Sequence, residues 1–257
     1  MVRNFDFGDT FARVFRVLFG GFGTWIAISV LFAIPIVLLG IVLNEMGVDM
    51  EFYVPSPTEP VDEKVLPADP IELVLPLIVY AFLIQLHAQL TTAGLMAGIY
   101  KLLRGETPTV GECMAKASSR MLSICALGFI QSFAVVLGIM CCCVPGVMFA
   151  AFWYVTMPAL LVEKIGVGAA FGRSQALTHG CRWPVLGIGC LLFIIMTGIG
   201  MLVGMFQFIG PEAYFGMYII HLIATPLIGA VGPGVTYHDL RAAKEGLDEQ
   251  DLEDVFT

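Results

Sequence analysis

The side chains that could catalyse a reaction are few and scattered in this sequence. Only His179 and His238 lie in polar segments that also carry carboxylates, of which Glu163 and Asp239 are the candidates. Acid and base catalysis requires at least two such groups to converge on a substrate. The sequence has no Gly-x-Ser-x-Gly, His-Glu-x-x-His or Gly-x-x-x-x-Gly-Lys pattern of the kind found in hydrolases, zinc proteases and phosphate-binding loops. We therefore expect a protein that is not an enzyme, with no metal site and no cofactor.

A second group of polar side chains lies inside long apolar stretches. Gln85 and Gln89 are one helical turn apart and Thr92 continues their face, which predicts a polar stripe on one helix. Gln131 and His221 lie near the middle of two other stretches. In lipid, such groups either hydrogen-bond neighbouring helices together or line a site that binds a ligand or relays a proton. Because no charged side chain lies at the centre of a stretch, we favour the structural role.

Basic residues flank the apolar stretches and form a predicted rim that could contact lipid head groups. Its members are Arg13, Arg16, Lys116, Arg120, Arg173 and Arg182. Lys64 is the one base in the sequence that falls on the other side of the predicted topology. Since bases next to membrane spans stay in the cytoplasm, this distribution predicts that both termini are cytoplasmic. It also favours a multi-pass protein of the plasma (inner) membrane.

Membrane helices are the elements that must position these side chains. The chain of 257 residues is 58% hydrophobic and 13% charged, far more apolar than a soluble domain. Six stretches have about the 18 to 20 residues that a membrane helix requires, namely 24–43, 73–100, 121–140, 145–162, 184–205 and 214–235. We predict an all-α polytopic membrane protein with six transmembrane helices in three hairpins. The acidic, Pro-rich segment 44–70 is predicted to be an extracytoplasmic loop, and residues 239–257 an acidic cytoplasmic tail.

The entry to each hairpin shows a weak internal repeat. Each copy has an apolar residue, a glycine and, five residues after the glycine, a base, which is Arg13, Lys116 or Arg173. This spacing predicts an amphipathic helix on the cytoplasmic face before each hairpin, with units 1–109, 110–166 and 167–238. The alternative is coincidence, because membrane interfaces collect glycines, aromatic residues and arginines.

The repeat also predicts side-chain contacts. In the first helix the apolar face would consist of Phe7, Phe11, Val14, Phe15 and Leu18. Asp9 and Glu112 each precede a base by four residues, so we expect i,i+4 ion pairs to Arg13 and Lys116.

Two segments carry a more specific pattern of polar residues. Its positions are Glu163, Arg173, Ser174, Gly180 and Trp183 in the first segment, and Tyr237, Asp239 and Arg241 in the second. Charges near a membrane surface usually pair when they are buried. We therefore expect Glu163 to pair with Arg173 or Arg182, and Asp239 with Lys244 or with a base of another unit.

In these two segments the chain resembles a broad group of uncharacterised bacterial membrane proteins. The group includes the YciC-like inner-membrane proteins and the membrane domain attached to some glycerophosphoryl diester phosphodiesterases. The resemblance implies a helical integral membrane fold and offers no established activity, since in the phosphodiesterase relatives the chemistry belongs to a separate soluble barrel. The sequence continues only briefly after its last predicted span, so we expect no such barrel here.

Together these features predict a membrane scaffold or accessory protein whose cytoplasmic rim binds membrane lipids, a protein partner or a second copy of the chain. The alternative is a small-solute or lipid transporter, for which Gln85, Gln89, Gln131 and His221 should converge on a water-filled cavity. A net charge of −8 gives no support to nucleic-acid binding. The run 141–143 of three cysteines is interpreted as small apolar residues at a helix end.

Overall fold

The computed structural model describes residues 5–45, 70–141 and 143–246, and the regular structure in these ranges is helical. The helices are α1 (Phe7–Gly20), α2 (Phe22–Glu45), α3 (Pro70–Leu103), α4 (Val110–Ser119), α5 (Met121–Cys141), α6 (Cys143–Phe152), α7 (Thr156–Val162), α8 (Val167–Thr178), α9 (Arg182–Met205) and α10 (Pro211–Glu245). A 3₁₀ turn, Phe206–Phe208, joins α9 to α10. The all-α prediction is confirmed. Most of the predicted extracytoplasmic loop, and the predicted tail after residue 246, lie outside the described residues.

Five helical stretches are long and apolar enough to cross a membrane. They are Phe82–Leu103, Met121–Cys141, Val144–Val162, Arg182–Met205 and Glu212–Glu245. A sixth candidate is the pair α1 and α2, which passes the same test together but is bent by 73°. By length and composition this is a membrane protein with about five or six spans, as expected in outline. α10 runs past the predicted end of the sixth span to Glu245, so the first part of the predicted tail is helical.

The span Val144–Val162 is broken into two helices, α6 and α7. Pro158 lies in the first turn of α7 and has no N–H to donate to a carbonyl one turn earlier. The carbonyl of Trp153, at the break, accepts hydrogen bonds from Thr156 Oγ1 at 2.7 Å and from Gln131 Nε2 of α5 at 3.2 Å. The sequence has a proline within this span; in the structure α7 begins two residues before it, and Gln131 of α5 binds a carbonyl at the break.

The core lies where α10 packs against α2, α3, α7 and α9. Trp25 of α2 is fully buried and donates from Nε1 to the carbonyl of Val17 in α1 at 3.1 Å, which fixes the bend between the two helices. Its ring packs on two glycines. An added Cβ at Gly98 of α3 would lie 2.5 Å from the ring, and an added Cβ at Gly21 would lie 2.4 Å from it. Close approach of α2 and α3 therefore depends on Gly98.

The short helices α1, α4 and α8 precede α2, α5 and α9, where the repeat predicted three helices. The buried residues of α1 are Thr10, Val14 and Val17. Phe7 is exposed, and Phe11 is only half buried. Phe7, Phe11 and Phe15 contact one another along one side of α1, whereas the side that packs against the protein carries Thr10, Val14 and Val17.

Candidate functional site

The polar residues of the chain meet at one end of the bundle, where α3 and α10 finish and α2, α5 and α9 begin. We call it the basic end. Apart from Arg3 and Lys64, which lie outside the described residues, every Lys and Arg lies in one of the short helices α1, α4 and α8 or in or next to the terminus of another helix at this end. The clusters described below are built from these residues.

The first cluster joins α10 to α1. Arg13 Nη1 lies 3.0 Å from Asp239 Oδ1, and Thr10 Oγ1 donates to Asp239 Oδ2 at 2.7 Å. His238 Nδ1 lies 3.2 Å from the same carboxylate, and the Asp239 side chain is only 12% exposed. Of the two partners expected for Asp239, the base from another unit is therefore confirmed. Because Arg13 is engaged here, the expected i,i+4 pair with Asp9 was wrong.

The second cluster joins α10 to α7 and α8. Arg173 Nε donates to Glu163 Oε1 at 2.7 Å, and its Nη2 also pairs with Glu245. Arg241 Nε donates to the other oxygen of Glu245 at 2.8 Å, and Tyr237 O–H donates to Glu163 Oε1 at 2.6 Å. Glu163 thus pairs with Arg173, the first of its two expected partners. Four of the patterned residues, taken from both segments of the sequence pattern, form one network.

The other patterned residues support helix ends. Ser174 Oγ donates to the carbonyl of Phe152 at 2.8 Å, and Gly180 has a φ of 83°, a left-handed conformation that favours glycine after α8. Lys244 Nζ donates to the carbonyls of Ala176 and His179 at 2.7 and 2.6 Å, and so caps the end of α8. Trp183 is 83% exposed at the start of α9, as expected of an aromatic residue at a membrane interface.

Four of the rim bases make contacts within the protein, although each keeps part of its side chain exposed. Besides Arg13 and Arg173, Arg120 donates to the carbonyls of Leu160, Lys164 and Ile165 at 2.5 to 3.1 Å. The Arg182 guanidinium lies 4.2 Å from the centre of the Phe152 ring. Their planar, multiply donating groups suit these internal contacts. Arg16 is exposed and Lys116 half-exposed, so these two fit the predicted rim.

Glu112 does not pair with Lys116 as expected. It accepts a hydrogen bond from Lys101 Nζ at 2.8 Å and another from Thr109 Oγ1, and these bonds hold the pKa of Glu112 below its ordinary value. The end of α3 lies beside the start of α4, and this tertiary contact replaces the pair within the helix. Lys116 is left with bases around it. Partial burial, followed by the charges of Lys164 and Arg120, lowers the pKa of Lys116.

The polar residues inside the spans make separate contacts. Gln85 Nε2 donates to Ser132 Oγ of α5 at 2.9 Å, and Gln89 packs on Gly128 of the same helix, so the predicted shared face is confirmed. Gln131 binds the broken helix at Trp153. His221 approaches Thr225, one turn away on its own helix, at 3.3 Å. In the described part of the chain these four side chains therefore contact different partners.

The four side chains considered as candidates for acid and base catalysis, two carboxylates and two histidines, do not lie together. Glu163 belongs to the second cluster, Asp239 and His238 to the first, and His179 is exposed. Cys141 is a free, exposed thiol at the end of α5, and Cys143 begins α6. Among the described residues, no group of three or more His, Cys, Asp and Glu side chains is placed to hold a metal ion.

Comparison of the chain with protein-family models, with curated proteins and with solved structures found no match. The resemblance to the YciC-like proteins and the phosphodiesterase membrane domains therefore rests on the patterned residues alone. Four of those residues, Glu163, Arg173, Tyr237 and Arg241, lie in one network of hydrogen bonds and ion pairs.

Reasoning from the sequence missed two residues of the basic end. Thr10 binds Asp239, although nothing in its own segment marks it as different from any helix threonine. Lys164 is the one described non-glycine residue with a positive φ, 53°, and it lies beside Lys116 and Arg120. Lys164 directly follows Glu163 and precedes a helix start flanked by glycines, and this position was the signal in the sequence that could have marked it as a site residue.

Proposed function

We propose that this chain is a non-enzymatic scaffold or accessory protein of the plasma (inner) membrane, with both termini in the cytoplasm. Its basic end would be the cytoplasmic rim and would bind the head groups of membrane lipids or a protein partner. The observation that carries this proposal is a set of bases without an acidic partner among the described residues: Arg16, Lys116, Arg120 and Lys164. Bases placed this way at the ends of apolar helices attract the anionic cytoplasmic leaflet.

Exposed aromatic side chains at the same end support the proposal. Phe19 and Phe22, at the junction of α1 and α2, are 67% and 49% exposed, and Trp183 at the start of α9 is more exposed still. Large rings beside bases are typical of helices that lie at the boundary between head groups and acyl chains. The rim therefore offers both apolar insertion and positive charge.

The ion pairs of α10 give this rim a fixed frame. Arg13 and Arg173 hold α1 and α8 to the end of α10 through Asp239 and Glu245. These two arginines are therefore framework residues, and the bases that remain for an external anion are those without carboxylate partners. A transporter would need the four polar residues of the spans to converge, and their separate contacts favour the rim proposal.

The test replaces bases that have no carboxylate partner and leaves the ion pairs of Arg13 and Arg173 with α10 unchanged. The full chain with Arg16→Gln, Lys116→Gln and Lys164→Gln is purified from native membranes, and co-purified lipids and proteins are identified by mass spectrometry. The control carries Ala12→Gln, Ala115→Gln and Ala169→Gln, which change exposed positions on α1, α4 and α8 without changing charge. We expect loss of anionic lipids or of a partner from the first variant alone. Identical profiles for both variants and wild type would remove the basis of the proposal.

A further inference from the structure

Three bases lie near one another at the basic end, close enough for the charges of Lys164 and Arg120 to act on Lys116. Lys116 lies in the last turn of α4, and Arg120 follows it by four residues, at the start of α5. The Nη2 atom of Arg120 donates to the backbone carbonyl of Lys164 at 3.0 Å, which brings the loop between α7 and α8 to the same place. The described ion pairs give none of these three bases a carboxylate. Like charges held together in this way attract an anion.

The cluster is held in place by the backbone. Arg120 is anchored by three carbonyls at the end of α7, those of Leu160, Lys164 and Ile165. Lys164 is held at a φ of 53°, a conformation that costs free energy for a side chain with a Cβ and that persists only where surrounding contacts enforce it. The Arg120 side chain and the Lys164 backbone are therefore fixed, whereas the two lysine side chains keep their mobility.

The start of α8 adds to the positive potential. α8 begins at Val167 after the exposed Gly166, with no side-chain cap and no acidic residue in its first turn. By contrast, Asp6 caps α1 and Glu112 lies in the first turn of α4. The unpaired N–H groups of the first turn of α8 follow Lys164 directly, and they carry partial positive charge.

The surroundings of the cluster indicate where the anion comes from. Met121 and Leu122 follow Arg120 in α5 and are 42% and 86% exposed, and the apolar candidate span continues from there. An anion bound to the three bases would have exposed apolar surface directly beside it. That combination suits an amphiphile, whose phosphate meets the bases while its acyl chains lie along α5.

We infer that Lys116, Arg120 and Lys164 form a binding site for the phosphate group of an anionic phospholipid. This inference rests on the proposed function of the rim. It goes further because it assigns one site and one class of ligand to that surface. Lys116 and Lys164 supply mobile ammonium groups, and Arg120 positions the backbone between them while adding its fixed charge.

The experiment measures thermal unfolding of the full-length chain in a neutral detergent with added short-chain lipids. The probes are dioctanoyl phosphatidic acid, dioctanoyl phosphatidylglycerol, dioctanoyl phosphatidylcholine and inorganic phosphate. A ligand that binds only the folded state raises Tm by an amount that grows with the logarithm of its concentration over its Kd. We expect both anionic lipids to raise Tm of the wild-type protein well above the effect of the phosphatidylcholine.

The test variant is Lys116→Gln combined with Lys164→Gln, and the control is Ala12→Gln, which changes an exposed position on α1 without removing a base. Arg120 is left unchanged because its carbonyl contacts support the fold. Loss of two of the three charges should raise the lipid concentration needed for half of the shift by about tenfold or more. The α1 control should respond like wild type.

Five outcomes decide the inference. A weakened response in the double variant alone supports the site. Equal responses in all three proteins overturn the site while leaving a diffuse rim, and an equal loss in the α1 control does the same. No response of the wild-type protein to any anionic lipid overturns both the site and the lipid form of the proposed function. A response to inorganic phosphate equal to that of phosphatidic acid, lost in the double variant, supports a phosphate site filled from solution.

Discussion

Arg13 and Asp239, which lie near opposite ends of the sequence, form an ion pair of 3.0 Å between α1 and α10. Thr10, one turn before Arg13, donates to the second oxygen of the same carboxylate at 2.7 Å. Both charged side chains are mostly buried, at 20% and 12% exposure. The first helix is thus attached to the last one by a single carboxylate that satisfies two donors.

Removing either charge of this pair should destabilise the protein. Arg13→Gln and Asp239→Asn should each cost about 1 to 3 kcal/mol, because each leaves a partly buried charge without its partner. The double variant should lose less than the sum, with a coupling of about 1 kcal/mol or more. Reversible unfolding in mixed micelles measures all four proteins. Strictly additive losses would show that the two residues do not interact.

Tyr237→Phe should weaken the second cluster. Its O–H donates to Glu163 at 2.6 Å, and a bond to a charged acceptor is worth about 1.5 to 3 kcal/mol. Tyr100→Phe is the matched control, since the Tyr100 ring packs against Tyr237 but its O–H makes only a 3.4 Å contact with the carbonyl of Gly234. We expect a clear loss of stability for the first variant and a small one for the second. The reverse order would contradict the network described here.

Gly98→Ala should separate α2 from α3. The new methyl group would meet the ring of Trp25 at 2.5 Å and Cys113 Sγ at 3.1 Å, and overpacking of this kind costs about 1 to 3 kcal/mol. Gly229→Ala in α10 is the control, because its Cβ would meet nothing within 4 Å and alanine favours helix. Thermal unfolding followed by Trp fluorescence should show a lower Tm for the first variant only. An unchanged Tm would mean that the indole ring has room to move.

Glu112 should contribute a small, acid-sensitive stabilisation. Its pKa is held below the ordinary value by the hydrogen bonds from Lys101 and Thr109. A carboxylate with a lowered pKa stabilises the folded state above its unfolded pKa, and this contribution is lost as the pH falls through the lowered value. Glu112→Gln should therefore lower Tm slightly at pH 7, and the difference from wild type should vanish under strongly acidic conditions. A difference that stays constant with pH would exclude a charge effect.

Lys116→Gln should raise Tm, whereas Glu112→Gln should lower it. Burial, and then the charges of Lys164 and Arg120, lower the pKa of Lys116, so its protonated form destabilises the folded state near neutral pH. Without added anionic lipid, the neutral variant should unfold about 1 to 3 °C higher than wild type. The gain should shrink as the pH rises through the lowered pKa of folded Lys116 and vanish above the unfolded pKa of lysine. A lower Tm for the variant would show that Lys116 has a partner that stabilises it.

The helices of this fold could be predicted from composition, because lipid requires long apolar runs with internally bonded backbones. The break at Trp153 follows from Pro158 once the two halves are examined together. The bend before Trp25 could not be predicted, since it depends on packing between a ring and Gly98, a residue of the next helix in the sequence.

The sequence predicted many of the residues of the candidate site. It predicted fewer of the contacts that these residues make. The first segment of the sequence pattern contains Glu163 and Arg173, and the second contains Tyr237 and Arg241. These four residues do form one network. The i,i+4 pairs failed because helix spacing gives only local neighbours, whereas Lys101 and Asp239 arrive from other helices. Lys164 was not recognised because a single lysine in a short loop has no periodicity.

The central position of α10 has a consequence for how the protein is made. Helices enter the membrane in the order of synthesis, so α1 to α9 must wait in the bilayer before their shared packing partner emerges. Until then Asp239 and Glu245 are missing, and Arg13 and Arg173 have no carboxylate from α10 to bind. Folding of this chain is therefore completed by its last span, and a ribosome stalled before that point would leave an open, incomplete bundle for quality-control proteases to recognise.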